Sequence, residues 1–248
     1  MISTIIIAKN EEKNIERALK SVSWCDEILV IDDDSTDKTE IIAKNNGAKI
    51  IQKSLENNFS KARNFALMQA EHEWVLFLDA DEEVSKSLAF EIQNSLKTSL
   101  IDAYEITRLD YLWGRQLKYG DARAVLLRLA RKNTGVWKGA VHENWVINGK
   151  IGKLKNPLIH YPHPSVAEFL QDINTYTSIR AMELYNQGIK ASFLSVLFHM
   201  KTKFYQNYIF RGGFRDGLPG LIHAMIMSFH AFLVRGKLWL LWQKKSHV

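Results

Sequence analysis

Two acidic clusters carry the clearest chemistry in this 248-residue chain. Asp79-Ala80-Asp81 follows directly on the unbroken apolar run 74–78, and Asp32-Asp33-Asp34 follows the strand-like Glu27-Ile28-Leu29-Val30-Ile31. Alternate residues at a strand end project the same way, so Asp79 and Asp81 are expected to converge on one hard cation. Mg²⁺ or Mn²⁺ prefers oxygen ligands and is often completed by phosphate oxygens. A lone Asp-X-Asp says little by itself. Here it gains weight from its place after a buried strand, one βα unit beyond a first acidic motif. Three adjacent carboxylates at 32–34 repel one another unless a cation or hydrogen-bond donors face them. Asp32, still at its strand tip, is read as a ligand contact. Ser35, Thr36 and Asp37 are read as a turn capping the next helix. Glu82 and Glu83 are expected to open a helix, where negative charge suits the dipole.

These clusters need a scaffold that brings strand ends together. Strand-like segments at 3–8, 27–31, 49–52, 74–78 and 103–109 alternate with helix-spaced segments at 14–22, 37–46, 59–70 and 86–96. Gly47 stands where the second helix should stop. Such alternation predicts βαβ units and an α/β fold with a mostly parallel central sheet. Continuously apolar strands fit a sheet covered on both faces. Residues 111–160, punctuated by Gly and Trp, read as mixed sheet and loop with a strand at 125–129. From Ser165 the spacing of Phe169, Ile173 and Tyr176 is helical, and glycines at 212–213 and 217–220 are expected to break the remainder into pieces. This divides the chain into 1–160, with a nucleotide-binding half (1–100) and an acceptor half (101–160), and a helical region, 161–248.

The motifs at Ile6-Ile7-Ala8-Lys9-Asn10-Glu11-Glu12, Asp32 with Ser35-Thr36-Asp37, Lys61-Ala62-Arg63-Asn64 and Asp79-Ala80-Asp81 occur in that order. Together they resemble the family 2 inverting glycosyltransferases, which have the GT-A nucleotide-sugar fold. The chain is most similar to the bacterial lipopolysaccharide-core β-glucosyltransferase branch. Trp137-Lys138-Gly139-Ala140-Val141-His142-Glu143 and Gly213-Phe214-Arg215-Asp216-Gly217-Leu218-Pro219-Gly220 match two further segments of that branch. The resemblance covers nearly the whole chain. It implies a UDP-sugar donor, a divalent metal (Mn or Mg) and a lipopolysaccharide-core or other lipid-linked acceptor. Asp32 would contact uracil or ribose, and Ala8, Asn10 and Glu11 would line the nucleotide pocket. Arg63 would lie near the diphosphate. Asp79 and Asp81 would hold metal and ribose, with Asp81 the direct metal contact. Lys9 stands where many family members place an aromatic residue.

An inverting transfer needs a base for the acceptor hydroxyl, and a carboxylate suits that task. Glu143 is assigned to it, with His142 as support; Asp110 and Asp121 are rivals. The metal and Arg63 would stabilise the leaving diphosphate. Most of the aromatic residues between 104 and 145 are assigned to packing. Trp113 and Trp137, beside glycines, are the candidates for a sugar-facing wall.

Charge is unevenly spread. The chain carries a net +6, yet residues 188–248 hold nine Lys/Arg and one acid, Asp216, leaving residues 1–187 at net −2. Residues 221–234 are apolar but stop at Arg235, short of the ~20 residues needed to span a bilayer. Trp239, Trp242 and Lys244-Lys245 suit a headgroup boundary. The reading is a peripheral enzyme on the anionic inner face of the cytoplasmic membrane. The single cysteine, Cys25, fits a reducing compartment and a small packing residue. No basic, long-cored leader opens at Met1.

Three other classes compete less well. A nucleotidyltransferase of the same broad fold wants a Gly-rich, Arg-containing loop after the first strand, and residues 8–11 offer none. A dehydrogenase wants Gly-x-Gly-x-x-Gly after a strand. A non-enzymatic basic protein binding lipid or nucleic acid has no use for Asp79 and Asp81, and no nucleic-acid signature accompanies the basic tail.

Overall fold

The structure, a computed structural model, describes residues 1–54, 59–97, 100–139, 143–163 and 165–245. It divides into two compact units, one of residues 1–108 and 124–160, the other of residues 109–123 and 161–248.

In the first unit the elements run β1 (Ile2–Ala8), α1 (Ile15–Ser21), β2 (Glu27–Asp32), α2 (Thr39–Asn45), β3 (Lys49–Gln52), α3 (Phe59–Gln69), β4 (Trp74–Asp79), β5 (Glu82–Val84) and α4 (Lys86–Ser95). β6 (Ala103–Leu112) begins here, and the short β7 (Arg115–Gln116) falls in the other unit. The first unit resumes with β8 (Arg123–Arg131), β9 (Gly135–Lys138), β10 (Asn144–Ile147), β11 (Ile151–Lys153) and β12 (Leu158–His160). The central sheet has the order β3-β2-β1-β4-β8-β6-β12-β5. β3, β2, β1 and β4 are parallel, whereas β8 runs antiparallel to β4 and β12 antiparallel to β5. β9 and β10 form a separate antiparallel ribbon. This is the α/β class that the alternation of elements predicts.

Period-two geometry explains why the strands are apolar throughout. Ile2, Ile6, Val30, Leu76 and Leu78 face α1 and α4, where Ile15, Leu19, Leu88 and Ile92 are buried. Ile5, Leu29, Ile31, Val75 and Phe77 face the other way, onto Ala62, Ala66 and Leu67 of α3 and onto Trp137 and Trp145. Full burial of each Ile, Leu or Phe contributes about 1.5–3 kcal/mol. Gly47, with φ +78°, ends α2 in the left-handed conformation expected of a C-terminal stop. Burial pushes the Cys25 thiol up to about 12, although the Thr4 hydroxyl donates to its sulfur at 3.0 Å. Both facts fit a packing role.

Two local expectations are corrected. Glu82 and Glu83 do not open a helix; they lie in β5, and α4 starts at Lys86 behind Ser85, whose hydroxyl accepts from Leu88 N–H. Ser35 and Thr36 do not cap α2. The Ser35 hydroxyl accepts from Asn10 N–H at 2.9 Å, and Thr36 N–H donates to the Asn10 side chain at 2.8 Å.

The second unit contains α5 (Val166–Asn186), α6 (Phe193–Tyr205), a π-turn at Gln206–Phe210, a 3₁₀ turn at Gly213–Asp216 and α7 (Gly217–Lys245). The break before α7 lies at Gly212 and Gly217, with φ +73° and +68°. Pro219 sits inside the first turn of α7, where its missing N–H costs nothing. α7 runs on through Arg235. Residues Gly213–Gln243 are long and apolar enough to cross a membrane by length and composition; their most apolar 18-residue stretch has mean hydropathy 1.6, and a third of it is buried. That corrects the estimate of a stretch too short to span. Val234 and Leu238 of α7 pack on Ala181 and Leu184 of α5, and the Lys237 ammonium donates to Asn174 and Ser178 of the same helix.

Two glycines of α7 make opposite predictions. A Cβ at Gly220 would lie 2.1 Å from the Gly213 carbonyl oxygen, whereas one at Gly236 meets nothing within 4 Å. Gly220→Ala should destabilise by about 1–3 kcal/mol, and Gly236→Ala should gain up to ~1 kcal/mol. Thermal unfolding of the two variants checks this; equal shifts would contradict the close approach.

Candidate active site

Register brings the strand-end residues side by side. Ala8 pairs with Asp32 across β1 and β2, and Ile7 pairs with Asp79 across β1 and β4. All lie at the carboxyl ends of parallel strands, where ligands of open α/β sheets bind. The loop after β1 is laced to the loop after β2. Asp33 N–H donates to the Ala8 carbonyl at 2.8 Å, Glu11 N–H to the Thr39 hydroxyl at 2.7 Å, and Glu12 N–H to Asp37 at 3.0 Å. Asn10 adopts φ +56°, a left-handed turn that Asn tolerates better than most residues. Lys9 is exposed and pairs with Asp33 at 3.1 Å. Asp32 is buried. One of its oxygens accepts from Ser35 N–H at 3.2 Å, while Oδ1 is shielded from solvent without a hydrogen-bond partner among the described residues. A donor from a bound ligand would relieve that unpaired oxygen.

Asp79 is held by two guanidiniums. Arg63, from α3, approaches it at 3.1 Å, and Arg128, from β8, forms a closer second ion pair. Arg63 Nε also donates to Glu143 at 3.1 Å, so one guanidinium joins Asp79 to the assigned base. Arg128 and Arg108 both reach the fully buried Glu82, at 3.4 and 3.5 Å. Burial opposes ionisation of Asp79, but Arg128 and Arg63 outweigh it and hold the carboxyl well below the ordinary range. Burial likewise disfavours charge on Arg128, yet Asp79 and Glu82 hold it above even the ordinary guanidinium range. Glu82 moves the other way: burial raises its carboxyl, with Asp79 adding to the effect and Arg128 opposing it.

The same network lines a cavity of about 410 Å³, walled by Arg63, Asp79, Arg128, Trp137, Glu143 and Trp145. Trp137 stacks on Trp145 at 5.2 Å, and Phe77 meets both edge-on. The Arg63 guanidinium lies 4.7 Å from the Trp137 ring centre. Asn64, next along α3, donates to the Trp137 carbonyl and accepts from its N–H, both at 2.9 Å. Thus Lys61-Ala62-Arg63-Asn64 positions a cation and an aromatic wall with adjacent side chains. The indole N–H groups of Trp137 and Trp145 are buried without hydrogen-bond partners among the described residues.

Asp81 does not share a contact with Asp79. Its carboxylate meets His160 Nε2, at the end of β12, at 3.1 Å. This departs from the convergence of Asp79 and Asp81 on one cation, and the physical reason is that Arg63 and Arg128 engage Asp79. Asp81 and His160 supply oxygen and nitrogen donors on adjacent elements. Glu11 stands in the same acidic field: burial raises its carboxyl, and Asp81, Asp37 and Asp79 raise it further. Among the described residues no cluster of three or more His, Cys, Asp or Glu forms a complete cage. Such a pair could contribute to a divalent ion only if phosphate and water supplied most of its ligands.

His142 lies outside the described residues. Trp113 and the rival bases Asp110 and Asp121 belong to the second unit. Trp113 packs there beside Leu112, Leu117 and Ala122, and Asp121 is engaged by Asn207, Lys203 and Arg211. Arg128 and His160 escaped the sequence reading, while Glu82 was read as a helix start and Asn64 only as part of a motif. Arg128 did leave a signal, as the one charge inside the apolar run 125–130. A charge in a buried strand requires a partner.

The glycosyl transferase family 2 model matches residues 3–173. The chain therefore belongs to the family 2 glycosyltransferases. It is 33% identical to an uncharacterized glycosyltransferase of Rickettsia typhi, over 96% of this chain and 86% of the other. It is 28% identical to the lipopolysaccharide core biosynthesis glycosyltransferase LpsC of Rhizobium meliloti, over 96% of this chain and 92% of that one. Among solved structures, glucosyl-3-phosphoglycerate synthase of Mycobacterium tuberculosis, in complex with Mn²⁺, UDP and phosphoglyceric acid, aligns with a TM-score of 0.48 and 18% identity, covering 77% of this chain and 80% of that one.

The buried network carries a direct stability prediction. Arg128→Met leaves Asp79 with Arg63 alone and Glu82 with Arg108 alone, and should cost about 1–3 kcal/mol. Adding Glu82→Met should return part of that loss, since a buried carboxylate that has lost one of its two cations is then gone. Urea unfolding of the single and double variants tests both; a single variant within ~0.5 kcal/mol of wild type would show that Arg128 is not the compensating charge.

Proposed function

We propose that the chain transfers a hexose, glucose foremost, from a UDP-sugar to the lipopolysaccharide core or a similar lipid-linked glycan, with inversion at the anomeric carbon. The carrying observation is that one guanidinium, Arg63, bridges Glu143 and Asp79 on the wall of a tryptophan-lined cavity. Identity to LpsC along both chains supports the acceptor class.

Each residue then has a task. The unpaired oxygen of Asp32 takes a hydroxyl or N–H from the nucleoside, and Ala8, Asn10 and Glu11 form the adjoining wall. Trp137 offers the sugar an apolar face and an unpaired N–H. Glu143 accepts the acceptor's hydroxyl proton as its oxygen bonds to the anomeric carbon. The bond from that carbon to the diphosphate oxygen breaks, and the electron pair leaves with the diphosphate. Arg63 is placed to meet that growing charge. In the network, Arg63, Arg108 and Arg128 already face Asp79, Glu82 and Glu143, so much of their positive charge is engaged. A divalent ion, Mn²⁺ or Mg²⁺, held by Asp81 and His160 would supply more as a Lewis acid. Asp79 orients the two arginines.

The helical unit supports attachment to the cytoplasmic face of a membrane. α7 buries Val234 and Leu238 within its own unit, which argues for contact with the bilayer surface over crossing it. The net positive tail favours anionic lipid.

A donor-hydrolysis screen over UDP-, GDP- and dTDP-sugars, with and without divalent ion, tests the chemistry. Turnover should be highest with a UDP-hexose and should need the ion, and Asp81→Ala or His160→Ala should each lower it about 100-fold or more. Unchanged activity in chelator would remove the metal. Glu143→Gln should reduce transfer kcat by about 10²–10⁴-fold while leaving the donor KM within about twofold. Transfer at the wild-type rate would remove Glu143 as base.

A further inference from the structure

The glycine-rich turn before α7 builds a second pocket, within the helical unit. Asp216 is buried, and its Oδ2 accepts from the N–H groups of Lys118 and Tyr119, both at 3.0 Å. Gly120 N–H donates to the Arg211 carbonyl at 3.2 Å. A Cβ at Gly212 would sit 3.3 Å from the Tyr119 ring. These contacts fasten residues 118–120 onto residues 211–216 and leave a cavity of about 460 Å³, lined by Lys118, Tyr119, Gly120, Arg123 and Arg211.

The lining is cationic. Lys118 and Arg123 are exposed, and neither side chain forms an ion pair among the described residues. Arg211 shares the carboxylate of Asp121 with Lys203. The Arg215 guanidinium lies between two rings, 5.3 Å from Tyr119 and 5.7 Å from Phe214. Guanidinium forks beside an ammonium suit a phosphate. The flanks are apolar and open to solvent: Phe210 is 83% exposed, Leu218 67% and Phe214 48%. A pocket for a soluble anion has no need of that collar. A lipid surface needs both parts, since aromatic and aliphatic groups enter the acyl boundary while Lys and Arg meet the headgroups.

We propose that this pocket takes the phosphate of an anionic lipid headgroup while Phe210, Phe214 and Leu218 enter the adjoining acyl boundary. The proposal rests on the membrane-contact reading above and gives it a point of attachment.

The test is sedimentation of the full chain with phosphatidylcholine vesicles, with and without phosphatidylglycerol. Wild type should bind the phosphatidylglycerol vesicles. The double variant Lys118→Gln/Arg123→Gln should weaken binding about 30-fold, at roughly fivefold per cation. Phe210→Ser/Leu218→Ser should weaken it too. Lys44→Gln, an exposed charge on α2, should leave it unchanged. All these side chains are exposed, and circular dichroism verifies that the variants are folded. Absence of wild-type binding to either vesicle would sink the membrane reading and this site with it. Wild-type binding with the Lys118/Arg123 variant undiminished would sink the headgroup pocket alone. Release of wild type by millimolar inorganic phosphate, with the Phe210/Leu218 variant unaffected, would assign the pocket to a soluble phosphate and overturn the lipid source.

Discussion

Asp79 lies at the end of a buried strand with a guanidinium on either side, one from α3 and one from β8. Each arginine is buried against that carboxylate and one other, and the two together hold Asp79 ionised against the cost of its burial. Arg63 uses its remaining reach to hold Glu143, and Arg128 reaches Glu82. The network thus ties β4, α3, β5, β8 and the segment after β9 to a common origin. Replacing it by apolar groups of equal volume need not weaken the fold. What such groups cannot do is set a carboxylate, a cation and an indole at one cavity wall.

The elements that position this network were largely legible. The parallel strands and the helices between them follow from short β-branched runs and helical spacing, because each strand buries both faces. β5 was not legible: three residues, Glu-Glu-Val, carry no usable periodicity, and two acids before a helix read naturally as its first turn. It becomes a strand through β12, whose partner residues lie some 75 positions further on, as in the pairing of Leu158 with Val84. The site divides in the same way. Asp32, Asp79 and Asp81 could be found because a strand tip is a local feature. Arg128 and His160 lie 49 and 79 residues from their acidic partners, and nothing local specifies such a distance. Asn64 was read within a motif, but its two bonds to Trp137 depend on where β9 falls.

The two acids of Asp79-Ala80-Asp81 differ in environment despite their spacing. Asp79 faces fixed cations and Asp81 faces an imidazole, so the first is neutralised by protein and the second is open to an ion that arrives with a ligand. Such a division suits a reaction whose anionic leaving group must be held during transfer and then let go. Permanent cations alone would bind the diphosphate product as firmly as the donor, and uniform binding does not accelerate chemistry. An arginine–carboxylate network avoids that outcome, because much of its positive charge is already engaged when the site is empty.

The helical unit follows the opposite electrostatic logic. Around residues 118–123 and 211–215 the cations outnumber the carboxylates, and two of them have no partner among the described residues. Unpaired cations on a surface cost little in water, so stability does not explain them. Neither does solubility explain a phenylalanine that is 83% exposed beside them. Each feature alone is common on soluble proteins. Their coincidence at one turn, fixed by Asp216 to the neighbouring loop, is what the proposed boundary between an apolar phase and an anionic one requires. Under the proposed function, with the acceptor anchored in lipid, such a boundary would keep the catalyst at the surface where acceptor is concentrated. The encounter then becomes a search in two dimensions, and the acceptor itself need not supply all of the binding energy.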